Sequence, residues 1–425
     1  MEDQKQPMEP PAKQPVAVED AVSAILAGMV SVVPFITWPW ISDSIVVPKI
    51  FVMAALLAGV GLVYGPAIFH RVAGRRRAGE KPGWPVRLAL IYLVLITVTL
   101  PFTMDLNRSL IGVFSRREGY FVLVMYIAFF LLAAGFYRFK AWHLKLYLTA
   151  VSLMACHAIF IRYEGLFGID AGTTRVLAFR FTGCGYQNFL GSYMVLALPV
   201  AVYAALRGNR KAWIAVALVF FGLLVSNTRG AWIGGGIATL VMAVLVLKGA
   251  NRRWFLTLCG VFAGVAALYL CTNATFAARF QTTESIGQRF FIYSLVLRLI
   301  AARPFTGWGI ETLDLVTTRY FGAEITAFFG RTVIMDRAHC EILQVACSCG
   351  IPAAAAFIAA QIAVVVRGIL NFDRDALWTP LLFSVAGYMI GALGNISVVN
   401  VAPTFWIFCG VLVASITHGE AMHLH

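Results

Sequence analysis

Charged residues are scarce in this sequence of 425 residues. Asp, Glu, Lys and Arg together make up 13% of it, whereas soluble globular proteins contain roughly 25%. Hydrophobic residues make up 60%, and the mean hydropathy is +0.80. This composition excludes a soluble enzyme, a disordered chain and a disulfide-rich scaffold.

Recognisable signals for metal or nucleotide chemistry are also missing. The eight cysteines lie mostly within or beside apolar segments, and no second Cys or His pair completes a zinc set. The sequence contains no Gly-rich phosphate-binding loop and no paired-aspartate motif of the kind that many sugar-transferring enzymes use. Free thiols in apolar surroundings explain the cysteines better than metal ligands do.

Long apolar segments dominate the chain instead. A helix needs about 20 apolar residues to cross the roughly 30 Å of hydrocarbon in a bilayer. No alternating ten-residue strands of a membrane barrel occur, so the predicted fold class is an all-α integral membrane protein with about twelve transmembrane helices. The predicted spans are 21–38, 46–64, 88–104, 120–137, 146–161, 189–206, 212–227, 230–247, 254–271, 341–366, 376–394 and 402–417.

These spans form a single polytopic membrane domain over residues 21–417, because no long linker or internal repeat interrupts them. Residues 1–20 are polar and Pro-rich and are predicted to be a disordered cytoplasmic tail, and residues 418–425 a second cytoplasmic tail. Two predicted outer loops, 162–188 and 272–340, are longer than a connection requires, which is typical of functional loops. The second loop contains a predicted interfacial helix at about 286–302, which would lie in the lipid headgroup layer.

Basic residues predict the orientation. Of the 34 Lys and Arg residues, nineteen fall on the side that holds both termini, including the run 75–77. Because basic residues concentrate on the cytoplasmic side of membrane proteins, both termini are predicted to be cytoplasmic. Most of the net charge of +14 is therefore a topology signal.

Lysine is absent from the predicted outer side, which nevertheless contains fourteen arginines. A planar guanidinium binds a phosphate or carboxylate through two parallel hydrogen bonds, which an ammonium group does not match. The arginines therefore suggest recognition of an anion, with structural pairing to the outer acidic residues as the alternative.

Only one of the seven histidines, His339, is predicted to lie at an outer helix entrance. Histidine is the usual side chain for proton transfer near neutral pH. A charged residue stands on either side of it in the segment Asp336-Arg-Ala-His-Cys-Glu341. His339 is therefore the candidate general base, with a purely structural histidine as the alternative.

Five segments together resemble the O-antigen ligase and polymerase family and occur in the family's order over about residues 40–415. Two positions depart from its pattern: Cys340 stands where Asn is usual, and Gln187 where Pro is common. The segments are Ser109-Leu-Ile-Gly-Val-Phe-Ser-Arg-Arg-Glu-Gly119, Arg180-Phe-Thr-Gly-Cys-Gly-Tyr-Gln-Asn188, Ser226-Asn-Thr-Arg229-Gly-Ala-Trp, Arg289 with Arg303-Pro-Phe-Thr-Gly-Trp-Gly309, and Arg337-Ala-His339-Cys-Glu341-Ile-Leu with Gly350-Ile-Pro352.

The resemblance implies a glycosyltransferase of the bacterial inner membrane, with an architecture like that of GT-C-type membrane enzymes. It would transfer a glycan from an undecaprenyl-diphosphate carrier to a sugar hydroxyl of an acceptor glycolipid at the outer face. The acceptor is either lipid A core, in ligation, or a second carrier-linked glycan, in polymerisation. The expected reaction is inverting and needs neither a metal nor another cofactor. The expected partners are the donor, the acceptor and membrane lipids, and no nucleic acid.

The resemblance also implies roles for individual residues. His339 takes the proton of the acceptor, while Arg180 and Arg289 bind the diphosphate. A structural salt-bridge cluster is the alternative role for Arg116 and Arg117. The remaining candidates for contact with the substrates are Arg229, Arg337, Glu341, Asn188, Arg116 and Arg117.

A twelve-span transporter of an anion or a lipid-linked sugar is the alternative function. Transporters typically place ionisable residues at mid-membrane and interrupt helices in two related halves. Within the predicted spans only Lys49 and His157 stand out as groups of this kind. The sequence therefore favours an enzyme with its chemistry at one membrane face.

Overall fold

The computed structural model describes residues 17–38, 40–41, 43–114, 116–163, 187–272 and 284–419. In these ranges the chain forms fifteen α-helices and no strand. The helices are α1 (Val18–Ser31), α2 (Val46–Arg77), α3 (Trp84–Thr99), α4 (Leu106–Ile111), α5 (Tyr120–Phe136), α6 (Ala141–Tyr163), α7 (Gln187–Leu206), α8 (Ala212–Val225), α9 (Arg229–Val246), α10 (Gly249–Thr272), α11 (Glu284–Ala302), α12 (Leu313–Phe329), α13 (Glu341–Leu370), α14 (Trp378–Ala392) and α15 (Ala402–His418).

Twelve of the described helices correspond to the predicted spans. Eight of them are long and apolar enough to cross a membrane, when α1 and α3 are counted together with the short 3-10 helices that extend them to Phe35 and Phe102. The other four, α5, α8, α14 and α15, are apolar but have only 14 to 17 residues. The all-α class is confirmed, whereas the count of twelve spans, the orientation and the GT-C architecture stay predictions.

The predicted outer loop 272–340 contains two helices, α11 and α12. We expected a helix at about 286–302 lying in the headgroup layer, and α11 confirms the helix itself. Its residues Leu295 and Leu299, however, are buried in a core that they share with Val316 and Ile325 of α12. The second helix, which the sequence analysis did not predict, supplies the apolar partner that we had assigned to lipid.

Small residues let α9 and α14 approach closely. Gly230 and Gly234 on α9 face Gly391 and Gly387 on α14, and a Cβ atom at Gly234 would clash with the carbonyl oxygen of Gly387. Close backbone contact between small residues is a common way of packing membrane helices. This contact fixes the start of α9 beside the end of α14.

A kink in α13 connects two of the sequence motifs. Gly350 has φ +84° inside this helix, a backbone conformation that glycine adopts without steric cost. The turn 303–309 packs against the kink so closely that a Cβ atom at Gly307 or Gly350 would meet the backbone of the other segment. Three backbone hydrogen bonds join the two segments: Trp308 N–H to Cys347 O (2.9 Å), Gly309 N–H to Ser348 O (2.8 Å) and Ile351 N–H to Pro304 O (2.7 Å).

The helix ends gather at two ends of the bundle. At one end, ion pairs join Lys140 to Asp20 and Arg207 to Asp375. At the other end, which we name the site end, α5, α7, α9 and α13 begin. The segments predicted to face outward meet at the site end.

The α9–α14 contact generates a stability prediction. Gly234→Ala should destabilise the protein by about 1–3 kcal/mol, because the new methyl group has to displace backbone of α14. Gly236→Ala on the same helix is the matched control, since nothing lies within 4 Å of a Cβ atom there, and replacing an interior helix glycine is neutral or stabilising. Thermal unfolding in detergent measures both variants. Equal melting temperatures would contradict the close contact.

Candidate functional site

His339 lies at the entrance of α13, two residues before its first residue. The residue is half-buried and has φ +52°. Non-glycine residues rarely adopt this left-handed conformation, and it often marks a functional position. The structure therefore holds His339 in a defined and unusual backbone geometry.

The electrostatic surroundings of His339 favour its neutral form. Burial lowers the pKa of the imidazole below its ordinary value of 6.5, and the positive charge of Arg289 lowers it further. Asp336 acts in the opposite direction, and Arg116 and Arg337 add to the lowering. A neutral imidazole can accept a proton at pH 7.

Arg289 projects from the second turn of α11 and is exposed. Its Nη1 atom lies 3.0 Å from the position that a Cβ atom would take at Gly394, in the loop after α14. Within the described ranges Arg289 forms no ion pair. This guanidinium is therefore available to an anionic ligand beside His339.

A buried ion-pair cluster lies next to His339. Arg337 is only 5% exposed, and its Nη2 atom pairs with Glu311 and with Glu118, the latter at 3.5 Å. Tyr126 Oη and Ser397 Oγ donate hydrogen bonds to Glu118 Oε1, at 2.9 and 3.0 Å. The cluster joins the loop before α5, the residues before α12, the approach to α13 and the loop after α14.

Carboxylates outnumber cations in this cluster. Burial raises the pKa of the Glu118 carboxyl, although the neighbouring Arg337 lowers it. A cavity of about 60 Å³ lies among Glu118, Glu311, Arg337 and Glu341, and the last of these is 8% exposed. In the part of the chain that the structure describes, no three His, Cys, Asp or Glu residues are arranged to hold a metal ion.

Arg116 and Arg117 connect the loop before α5 to its neighbours. Arg116 pairs with Asp336 at 3.1 Å and lies 5.8 Å from the ring centroid of Phe189 on α7. Arg117 lies 4.0 Å from Asp43 and has φ +55°. These pairs agree with the structural alternative for both residues, while they also place Arg116 among the charges that act on His339.

Asn188 and Arg229 lie at the starts of α7 and α9. Thr228, the residue before α9, donates a hydrogen bond from Oγ1 to Asn188 Oδ1 at 3.2 Å. Asn395 Nδ2 donates to Ser192 Oγ at 3.1 Å, which ties α7 to the loop that Arg289 touches. Asn188 and Arg229, which are predicted substrate contacts, are therefore connected to the site by these hydrogen bonds to residues of α7.

The structure brings His339 and Arg289 close enough for the charge of the arginine to act on the imidazole, while their roles in the reaction stay predictions. Arg337 and Glu341 are buried beside the cavity rather than exposed at the site surface, and their predicted contact with substrate stays a prediction. Arg180 lies outside the described residues.

The sequence analysis missed Glu311, Tyr293, Gln344 and Ser397. The position of Tyr293, four residues after Arg289 on one helix, was a usable signal. Nothing in the sequence indicated that Glu311 would meet Arg337.

The Arg337 cluster generates a second stability prediction. Arg337→Met should destabilise the protein by about 3–5 kcal/mol, because it leaves two buried carboxylates without their cation. Arg298→Met is the matched control, since Arg298 pairs with Glu324 at the surface, where an ion pair contributes at most about 1 kcal/mol. Chemical denaturation in detergent measures both. A loss for Arg337→Met no larger than that for the control would refute the buried pairing.

One comparison with known proteins finds a family match that covers part of the site. A protein-family model described as O-antigen ligase matches residues 214–358, about a third of the chain. The matched segment runs from α8 into α13 and includes Arg229, Arg289 and His339. A search of curated proteins finds no match. The match supports the assignment of this segment to the O-antigen ligase family.

Proposed function

We propose that the protein is an inverting, metal-independent glycosyltransferase. It transfers a glycan from undecaprenyl diphosphate to a sugar hydroxyl of an acceptor glycolipid, at the outer face of the bacterial inner membrane. The family match supports a glycosyltransferase-type role in O-antigen synthesis. The observation that carries the proposal is a base with a lowered pKa, His339, beside an exposed arginine, Arg289, that forms no ion pair among the described residues.

His339 acts as the general base. The neutral imidazole takes the proton of the acceptor hydroxyl while the hydroxyl oxygen attacks the anomeric carbon of the donor. The bond between this carbon and the diphosphate oxygen breaks, and polyprenyl diphosphate leaves with the electron pair. Direct attack from the face opposite to the leaving group inverts the anomeric configuration.

Arginines stabilise the departing diphosphate. Arg289 is exposed on the site side of α11, and fixed cations at a developing negative charge lower the barrier without reorganising. Arg180 is the second proposed ligand, on the family resemblance. Arg229 and Asn188 are proposed to contact the donor from the starts of α9 and α7, and Arg116 from the loop before α5.

Arg337 takes a different place in this proposal from the substrate contact that its sequence suggested. Arg337 has two carboxylate partners and is almost completely buried, so its contribution is to hold the approach to α13 in place. Glu341 faces the cavity beside the same cluster. Both residues act on the substrates through the position of His339.

One assay tests the function and the acceptor together. The purified protein receives a defined polyprenyl-diphosphate oligosaccharide with lipid A core or with a second carrier-linked unit, in the presence of EDTA. Transfer to lipid A core identifies a ligase, and an extended carrier-linked glycan identifies a polymerase. Movement of the donor across vesicles without transfer would instead support the transporter, and a requirement for added metal would overturn metal independence.

His339 generates a prediction about activity and pH. His339→Ala should reduce turnover by about 10²- to 10⁴-fold, the usual contribution of a general base, while the protein still folds. In the wild type, turnover should rise with pH through an apparent pKa below 6.5, because burial and Arg289 lower the pKa of the imidazole. Initial rates from pH 4.5 to 8 measure this rise. A fully active His339→Ala protein would disprove the role of the base.

Arg289 generates a prediction about the shape of the cation. Arg289→Lys should lose most of the activity although it keeps the charge, since an ammonium group cannot replace a bidentate guanidinium. Arg331→Lys is the matched control, because Arg331 is exposed in the loop after α12 and has no assigned role. Turnover and the KM for the donor are measured for both. Near-normal turnover of Arg289→Lys would exclude bidentate binding.

A further inference from the structure

The backbone on both sides of His339 is held by side chains that the proposed chemistry does not use. A non-glycine residue persists in the left-handed region only when surrounding contacts fix it there. At His339 these contacts come from two different helices, α13 and α11.

The first contact comes from Gln344 in the first turn of α13. Its Oε1 atom accepts a hydrogen bond of 2.8 Å from the backbone N–H of Ala338, the residue before the histidine. Its Nε2 atom donates to Ser348 Oγ, one turn further along the helix, at 3.4 Å. Gln344 is buried, so its amide is fixed at both ends and directs its oxygen towards the loop.

The second contact comes from Tyr293 on α11. Its hydroxyl donates a hydrogen bond of 3.1 Å to the carbonyl oxygen of His339. Tyr293 follows Arg289 by four residues, and residues with this spacing share one face of a helix. The bond therefore joins the helix that carries the proposed diphosphate ligand to the backbone of the proposed base.

We infer that Gln344 and Tyr293 are positioning residues for glycan transfer: they hold the backbone N–H of Ala338 and the carbonyl oxygen of His339, and so set the imidazole at a fixed distance from Arg289. This inference rests on the proposed function of His339 and Arg289. Neither residue touches the reacting atoms. Their contribution is preorganisation, which makes the rate sensitive to displacements of about 1 Å.

A positioning role has consequences that a merely stabilising role lacks. The groups that act on the imidazole are Arg289 on α11, Asp336 and Arg337 on the approach to α13, and Arg116 on the loop before α5. An imidazole released from its position becomes more exposed and moves away from Arg289, so its pKa returns upward towards the ordinary value. Donor binding through Arg289 stays intact.

The test uses Tyr293→Phe and Gln344→Leu, each with a control of the same chemistry. Tyr320→Phe removes the hydroxyl of an exposed tyrosine on α12. Gln361→Leu removes a buried amide on α13 whose Nε2 atom has no hydrogen-bond partner among the described residues. Turnover, the KM for a defined polyprenyl-diphosphate oligosaccharide, the pH profile and the melting temperature are measured for all four variants.

We expect Tyr293→Phe and Gln344→Leu to lower turnover about 10- to 100-fold, as a small misplacement of a catalytic group does. The KM for the donor should stay within about twofold of the wild type, because Arg289 is intact. The apparent pKa of the acidic limb should rise towards 6.5. Both controls should keep the turnover and pH profile of the wild type.

Wild-type turnover and pH profile in Tyr293→Phe would overturn the inference. So would a loss of turnover that only follows a lower melting temperature and leaves the pH profile unchanged. Tyr293→Phe removes a single hydroxyl and decides the matter even if Gln344→Leu does not fold. His339→Ala runs in parallel: its full activity would refute the proposed base, whereas an inactive His339→Ala beside a normal Tyr293→Phe would refute the positioning role alone.

Discussion

The buried pairing of Arg337 with Glu118 and Glu311 is the interaction on which the site depends. Glu118, in the loop before α5, lies about 200 residues before Glu311 and Arg337, which precede α12 and α13. Taking such charges out of water costs several kcal/mol per ion unless each finds a partner. The cluster therefore fixes these three segments in one arrangement, and this arrangement places His339 at the site end. Three of the four non-glycine residues with positive φ in the described ranges, Arg117, Glu311 and His339, lie at this meeting point.

The family motifs divide into two physical roles. The turn 303–309 and the segment 350–352 are structural, because the turn supplies the backbone hydrogen bonds that a kinked α13 needs. We propose chemical roles for Arg289 and His339, since Arg289 is exposed and forms no ion pair among the described residues, and the pKa of His339 is lowered. The structural motifs position the proposed chemical residues, because the kink and the turn fix the direction in which α13 begins. A motif match alone does not distinguish these roles, whereas hydrogen bonding and exposure do.

Much of the fold could be predicted from the sequence, because crossing a bilayer requires long apolar segments that are visible in composition alone. All twelve predicted segments coincide with helices in the described ranges. The site could be predicted only in part. His339 and Arg289 were recognisable by residue type, but the burial of Arg337 depends on Glu118, which is about 200 residues away in the chain, and on Glu311, which lies on the other side of α12. The helix α12 was not predicted, because its apolar residues are spread through a long predicted loop. Without α12 as a packing partner, the apolar face of α11 was assigned to lipid.

The central claim is a single displacement in which an acceptor oxygen activated by His339 replaces a diphosphate bound by arginine. The anomeric configuration of the new glycosidic bond tests it most directly. Nuclear magnetic resonance of the product from a donor of known anomeric configuration gives this configuration without any variant protein. The account predicts that an α-linked donor gives a β-linked product. Retention of the donor configuration would require two displacements through a covalent intermediate and would contradict the account.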